Sequence, residues 1–278
     1  MNNAKKYSLE AFRQTLNELK GREGITEISF RDNWLNKLKN ISNITRNGWY
    51  SPPPEGIAVL FASDKNIERI NFESLRNEAN WPSDKIIDWD NGLLFAYESF
   101  VDTETGLLGD FDITLYFGKD PDMINHFKLC HKATLEVIEA SRTINSSKIL
   151  FEKSQDIFSK YSLKNSIVSI TDSSSLDLGH STPVVDINDI KDKTLSKETI
   201  EYIRNNRKYI SGHSDWNLDN EVQFTIEPQL VSINNKRLPQ VCFHYLIKKT
   251  ENNITIMNEN DELLKEYGLI DQRVNYFE

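Results

Sequence analysis

The spacing of hydrophobic residues alternates along the chain between helical and strand periods. Leu9, Phe12 and Leu16 recur every three or four residues, which predicts a helix near the start of the chain. The continuous apolar run IAVLFAS at 57–63 predicts a buried strand. The same criteria predict helices over about 26–40, 66–77, 120–141, 147–161 and 197–209, and strands over 92–101, 111–118, 166–170, 221–233, 240–250 and 253–257. We therefore predict an α+β fold built as a single domain over residues 1–278.

The segment 92–118 has the features of a β-hairpin. Its two arms, GLLFAYESFV and FDITLYFG, are rich in β-branched and aromatic residues, and the stretch between them carries turn glycines. Asp120 and Pro121 follow as a helix cap and a first-turn proline, which predicts a long helix to about Ser141.

Composition and charge narrow the class of protein. The chain has 42 acidic against 33 basic residues and a net charge of −9, which argues against a nucleic-acid partner. No apolar run approaches the roughly 20 residues that cross a bilayer, and the first residues do not resemble a secretory signal. The only two cysteines, Cys130 and Cys242, are far apart and suit a reducing compartment. We therefore predict a cytoplasmic protein that binds neither nucleic acid nor membrane.

Six motifs occur in an informative order. They are GREGITE (21–27), NGLLFAYESF (91–100), GDFDITLYFGKDPD (109–122), LDLGHS (176–181), EVQFTIEPQL (221–230) and QVCFHYLIKKTENNITIM (240–257). Together they resemble the pita-bread metallopeptidases, the family of methionine aminopeptidase, aminopeptidase P, prolidase and creatinase. The resemblance covers most of the chain, and the TIEP motif is its most specific part. It implies the pita-bread fold, a curved antiparallel sheet flanked by helices.

The resemblance also implies a site for divalent transition metals. Family members bind two ions through two Asp, one His and two Glu. Asp112, His180 and Glu227 match the second Asp, the His and the first Glu of that set. Carboxylate and imidazole donors suit Fe²⁺, Mn²⁺ or Zn²⁺, which we predict as the cofactor.

The position of the family's first Asp is ambiguous in this chain. The family's spacing from Gly92 leads to Glu98 rather than to an Asp, and Asp102 is an alternative. Strand alternation places positions 98 and 102 on the same face, so it does not choose between them.

His244 occupies the position of the family's last Glu, which bridges both ions. A neutral imidazole offers one lone pair and cannot bridge two metals in that way. The substitution therefore predicts a single ion, or a second ion that binds weakly. The alternative is that His244 is only a core residue of a strand.

The peptidases of the family also use histidines that do not bind metal, and one of them lies before the first metal Asp. Here no histidine precedes His126, so that role has no candidate. His213, which follows an insertion-like stretch at 184–210, is the candidate for the second such histidine. We predict catalytic roles for His213 and for Glu227, the latter as metal ligand and proton acceptor.

Three hypotheses of function follow. The first is a metal-dependent hydrolase, with one ion, that cleaves a C–N bond of a small amide or amino-acid-like substrate. The second is a mononuclear non-haem iron oxidoreductase or oxygenase with a site of two histidines plus carboxylate. The third is a non-catalytic binding protein on a decayed peptidase fold. The resemblance implies a small-molecule substrate and a monomer or homodimer.

Overall fold

The structure is a computed structural model that describes residues 3–51, 53–63, 65–80, 83–166, 176–219, 222–250, 253–257 and 260–271. Its α-helices are α1 (Asn3–Leu19), α2 (Glu27–Lys39), α3 (Phe72–Arg76), α4 (Pro121–Ser141), α5 (Ser147–Lys160), α6 (Lys197–Asn206) and α7 (Asn260–Glu266). Its strands are β1 (Ile57–Ala62), β2 (Leu93–Glu98), β3 (Phe111–Tyr116), β4 (Leu163–Asn165), β5 (Val222–Ile226), β6 (Gln229–Ser232), β7 (Val241–Cys242), β8 (Tyr245–Thr250) and β9 (Asn253–Met257).

The mixture of helices with antiparallel strands confirms the predicted α+β class. The described strands form three three-stranded antiparallel sheets, and a single curved sheet flanked by helices stays a prediction. The strand predicted at 166–170 lies, from residue 167 onward, outside the described residues. None of the described helices is long and apolar enough to span a membrane.

Spatial contacts group the chain into two compact units, each of which takes two stretches of sequence. Unit 1 comprises residues 1–118 and 183–206, and unit 2 comprises residues 119–182 and 207–278. The prediction of one domain over residues 1–278 stays a prediction.

Unit 1 contains the sheet β1-β2-β3, whose strands are buried along their whole length. Helix α2 begins at the predicted cap, Thr26, whose hydroxyl accepts a hydrogen bond from the backbone N–H of Ser29 in a capping box. Phe12 of α1 packs edge-on against Trp34 of α2 with 5.2 Å between ring centroids, and Phe12 also contacts Phe111 of β3 at 5.8 Å. This aromatic core fixes the helices against the strand that follows the hairpin turn.

The predicted hairpin is confirmed, and its pairing extends beyond β2 and β3. The backbone N–H of Gly109 donates to the carbonyl of Phe100, and the N–H of Asp102 donates to the carbonyl of Leu107. The turn is therefore confined to a few residues after Asp102. As a result, the carboxylates of positions 98 to 112 are distributed along two adjacent, paired segments of unit 1.

Unit 2 contains the sheets β5-β8-β9 and β4-β6-β7. Ile226 pairs with Tyr245 and Gln229 pairs with Cys242, so the two ladders share one register. The interruption falls at Pro228, which has no backbone N–H to donate. Residues 222–232, which include β5 and β6, thus pair with residues 241–250, which include β7 and β8. The hydrogen bonds between these two segments are interrupted near Pro228.

Candidate metal centre

The segment 178–182 of unit 2 lies along the edge of β5. The backbone N–H of Glu227 donates to the carbonyl of Leu178, and the N–H of Thr225 donates to the carbonyl of His180. Gly179 permits this close approach, because its φ is +149° and an added Cβ would lie 2.2 Å from the carbonyl oxygen of Thr225. The glycine of the Gly-His motif is thus needed to bring His180 beside β5.

The ring of His180 is oriented by a backbone carbonyl. Its Nδ1 lies 3.0 Å from the carbonyl oxygen of Ser181, which can only accept, so Nδ1 carries the proton and donates. In the neutral ring, Nε2 is then a lone-pair donor atom, and it lies 3.3 Å from Oε1 of Glu227. Two acceptor atoms face each other at this distance, an arrangement that a cation between them stabilises.

His244 approaches the same carboxylate from the segment that pairs with it. The register places Glu227 directly opposite His244, and Nε2 of His244 lies 3.7 Å from Oε2 of Glu227, beyond hydrogen-bond range. The Thr225 hydroxyl donates to Oε1 of Glu227 at 2.9 Å and so helps to fix the carboxylate. His180, Glu227 and His244 are 6%, 4% and 3% exposed.

These three side chains fit a divalent transition metal. Two imidazole nitrogens and one carboxylate are donors of the type that Zn²⁺, Mn²⁺ and Fe²⁺ accept, and the hydrogen bond from His180 to a carbonyl is typical of a metal-binding histidine. The structure therefore brings together three of the residues that the sequence predicted as ligands, His180, Glu227 and His244.

Glu98 of unit 1 has a different environment. Its side chain is fully buried, and its Oε2 accepts a hydrogen bond from the backbone N–H of Phe100 at 2.7 Å. Burial raises the pKa of Glu98 to about 8, and the charge of Asp110 also raises it. The Ser8 side chain, the backbone N–H of Phe100 and the charge of Lys5 lower it. Glu98 is thus protonated at neutral pH in the protein without metal, and its role as a ligand stays a prediction.

The other two predicted carboxylates differ in their surroundings. Oδ1 of Asp102 accepts hydrogen bonds from the backbone N–H groups of Glu104 and Thr105 at 2.8 and 3.1 Å, so this side chain caps the hairpin turn. Asp112 is buried within β3, where it pairs with Tyr97 of β2. Its assignment as a ligand stays a prediction.

Sequence analysis did not single out Asp110, which is a second buried carboxylate of the same motif. Its φ is +42°, an uncommon conformation for a residue other than glycine, and the Tyr97 hydroxyl lies 3.5 Å from its Oδ1. Asp110 and Asp112 are two residues apart, so strand alternation alone assigns them the same face. The only signal in the sequence is that GDFDIT contains two aspartates.

His213 lies in a bend of unit 2 and its side chain is exposed. Its backbone N–H lies 3.4 Å from the Ser211 hydroxyl. The catalytic role predicted for His213 stays a prediction.

Tyr209 and Arg207 were also not recognised from sequence. Tyr209 pairs with His180 in an antiparallel bridge, and the two rings meet edge-on with 6.0 Å between centroids. The Arg207 guanidinium lies over the Tyr209 ring at 5.5 Å. Tyr209 thus packs against the His180 ring.

The fold matches known structures, but the sequence matches no known family. No family model matches the sequence, and no curated protein matches it. The X-Pro aminopeptidase from Thermotoga maritima is 14% identical with a TM-score of 0.56, and the match covers 91% of this chain and 58% of that one. The prolidase from Pyrococcus horikoshii is 13% identical with a TM-score of 0.60, over 92% of this chain and 60% of that one.

A smaller enzyme matches over nearly its whole length. The methionine aminopeptidase from Rickettsia prowazekii is 14% identical with a TM-score of 0.55, over 91% of this chain and 94% of that one. By contrast, the chain spans less than two thirds of the X-Pro aminopeptidase and the prolidase. Identities this low show the fold alone. The chain therefore has the fold of the pita-bread metallopeptidases.

Proposed function

We propose that this protein is a metal-dependent hydrolase that uses one divalent ion to cleave a C–N bond of a small amide or amino-acid-like substrate. The observation that carries the proposal is the arrangement in unit 2, where His180 and His244 direct Nε2 atoms at the two oxygens of Glu227. The peptidase names of the matched structures support hydrolysis as the class of reaction.

Each residue at this site of unit 2 has its own proposed role. His180, Glu227 and His244 would hold the ion, which when bound supplies Lewis-acid activation of a water molecule. The Ser181 carbonyl keeps the proton of His180 on Nδ1, and the Thr225 hydroxyl holds Oε1 of Glu227 in place. Glu227, with its second oxygen, is the proposed proton acceptor, and His213 is the proposed exchange group toward solvent.

The proposal of one ion rather than two rests on the side chain at position 244. A glutamate there offers two oxygens that two metals can share, whereas the imidazole of His244 offers one nitrogen. We propose Fe²⁺, Mn²⁺ or Zn²⁺ as the ion, and a monomer or homodimer acting on a small molecule. The redox alternative uses the same donors, but the peptidase names of the matched structures do not support it.

Metal analysis and an assay of hydrolysis test the proposal together. The protein is loaded separately with Mn²⁺, Zn²⁺ and, without oxygen, Fe²⁺, and bound metal is measured after gel filtration. Each form is then incubated with X-Pro dipeptides, other dipeptides, peptides with N-terminal methionine and simple amides, and release of free amine is measured. About one equivalent of metal together with amine release supports the proposal.

Three outcomes overturn it in different ways. Less than about 0.2 equivalents of every metal leaves the non-catalytic binding protein as the conclusion. One equivalent of iron with oxygen consumption and no amine release points to the oxidoreductase. If Glu227→Gln still releases amine, the site formed by His180, Glu227 and His244 is not where hydrolysis takes place.

A further inference from the structure

Lys5, in the first turn of α1, is buried completely, with 0% of its surface exposed. Lysine is almost never fully buried unless its charge is paired, because removing an ammonium group from water is costly. The adjacent Lys6 is exposed on the same helix. The burial of Lys5 therefore requires negative charge close by in unit 1.

The face of α1 that carries Lys5 packs on the hairpin. An added Cβ on Gly109 would lie 3.1 Å from the Cβ of Ala4 and 3.4 Å from Oε1 of Glu98, so the start of α1 and the Glu98 carboxyl meet at this glycine. Ser8 lies three residues after Lys5 and thus on the same side of the helix. Its side chain lowers the pKa of the Glu98 carboxyl group. The charge of Lys5, the residue next to Ala4, also acts on the Glu98 carboxyl group and lowers its pKa.

Two buried carboxyl groups lie in this part of unit 1. Glu98 is 0% exposed and Asp110 is 1% exposed. The charges of both Asp110 and Lys5 act on Glu98, with opposite signs. These three residues form what we call the Lys5 cluster.

We propose that the Lys5 ammonium is a built-in counter-cation for Glu98 and Asp110, and that it takes the place of a metal ion at these carboxylates. Lysine is suited to this, since its ammonium is a compact point charge with three donors on a flexible stem. The Lys5 cluster lies wholly in unit 1, so the inference does not depend on the hydrolase proposed above, although it gives that proposal a second reason for a single ion.

Removing the charge at position 5 tests the proposal. Lys5→Met keeps much of the length and apolar character of the side chain but removes the ammonium, and Lys6→Met is the matched control on the exposed side. Each variant is loaded with Mn²⁺ or Co²⁺ and bound metal is counted. Lys5→Met is expected to bind about one equivalent more than the wild type, and Lys6→Met the same number. The additional equivalent is expected to disappear in Lys5→Met/Asp110→Asn.

Thermal unfolding of the metal-free proteins is the second measurement. Lys5→Met is expected to lower Tm more than Lys6→Met, because it leaves a buried carboxylate without its partner. Asp110→Asn is expected to restore part of that loss, so the effects of the two substitutions are not additive. If Lys5→Met is too unstable to purify, purification of Lys5→Met/Asp110→Asn as a folded protein supports the proposal.

The proposal is overturned if Lys5→Met binds no additional metal and its loss of Tm simply adds to that of Asp110→Asn. It is also overturned if both Lys5→Met and Lys5→Met/Asp110→Asn fail to fold, since the need for Lys5 would then not come from Asp110. Failure of the hydrolase proposal has another signature, namely a wild-type protein without bound metal or without amine release.

Discussion

Glu227 lies directly opposite His244 across two antiparallel segments, at the point where Pro228 interrupts their hydrogen bonds. The two atoms Oε2 and Nε2 are 3.7 Å apart, so they do not form a hydrogen bond, and both belong to groups that can bind a metal ion. Opposite residues of a ladder project from the same face of a sheet. The pairing of strands, and not a loop, therefore sets the geometry of this half of the candidate centre.

Replacing His244 by alanine tests whether it is a ligand or a core residue. Because His244→Ala removes one of three donors, we expect the affinity for Mn²⁺ or Zn²⁺ to fall at least about tenfold. Isothermal titration with each metal measures the change. His213→Ala removes an exposed imidazole and is expected to leave the affinity unchanged. Equal affinities of His244→Ala and the wild type would make His244 a strand residue without a metal role.

The predicted proton transfer by His213 is a separate question. If the active metal-loaded enzyme uses this imidazole, His213→Ala should lower kcat by about 10²- to 10⁴-fold, the usual contribution of a general acid or base. Steady-state kinetics over a range of pH measures kcat and shows whether the corresponding limb of the profile disappears. An unchanged kcat and profile would remove His213 from the mechanism.

The Gly-His motif is expected to be sensitive to a single methyl group. Gly179→Ala places a Cβ 2.2 Å from the Thr225 carbonyl oxygen at a φ of +149°, so we expect a loss of roughly 3 to 5 kcal/mol in the free energy of unfolding. Gly24→Ala is the matched control, because Gly24 also has a positive φ, +72°, but no atom within 4 Å of an added Cβ. It should cost only about 1 kcal/mol.

Urea unfolding of both glycine variants measures these losses. Similar losses for Gly179→Ala and Gly24→Ala would mean that the edge segment can move away from β5 at little cost. The metal affinity of Gly179→Ala adds a functional readout, since a displaced segment would also move His180.

Acid sensitivity is expected from His131 on α4. Burial lowers the pKa of His131 from its ordinary 6.5 to about 4, against the opposing charge of Asp271. Between these values the unfolded chain binds a proton on His131 that the folded protein does not. The contribution to stability is therefore complete above pH 6.5 and is lost as the pH falls toward 4, by up to about 3 kcal/mol.

Unfolding of the variant His131→Gln in urea between pH 7 and 4 measures this effect. The free energy of unfolding should fall less steeply with decreasing pH than in the wild type, because glutamine does not titrate. His213→Gln is the matched control, since it makes the same change of residue type at an exposed position. The same slope in all three proteins would contradict the prediction. In the folded protein, the His131 Nε2 donates to the Tyr245 hydroxyl, which donates to Asp261, at 2.9 Å in both cases.

The sequence predicted the local elements well because their signals are local. Apolar spacing located α1, a capping residue located the start of α2 at Thr26, and the Asp120-Pro121 pair located the start of α4. The resemblance to pita-bread metallopeptidases was confirmed by structures of only 13 to 14% identity. Short motifs in a fixed order carried this prediction, although no family model matches the chain.

The environment of each charged side chain could not be predicted in the same way. In the sequence, Lys5 and Lys6 are equivalent, but only Lys5 is buried. Asp102 was a rival to Glu98, and only the fold shows that Asp102 caps a turn while Glu98 is enclosed. Burial and hydrogen bonding depend on which distant segments pack together, and one sequence carries no direct record of that packing.

The sequence by itself thus determined the order of helices and strands, the family likeness and the donor types at positions 180, 227 and 244. The tertiary structure decided that the imidazoles of His180 and His244 lie close to the carboxylate of Glu227, and that Lys5 of the first helix is buried. The physical reason is that donor chemistry belongs to a residue, whereas charge state and coordination depend on distances of a few ångströms between residues far apart in the chain.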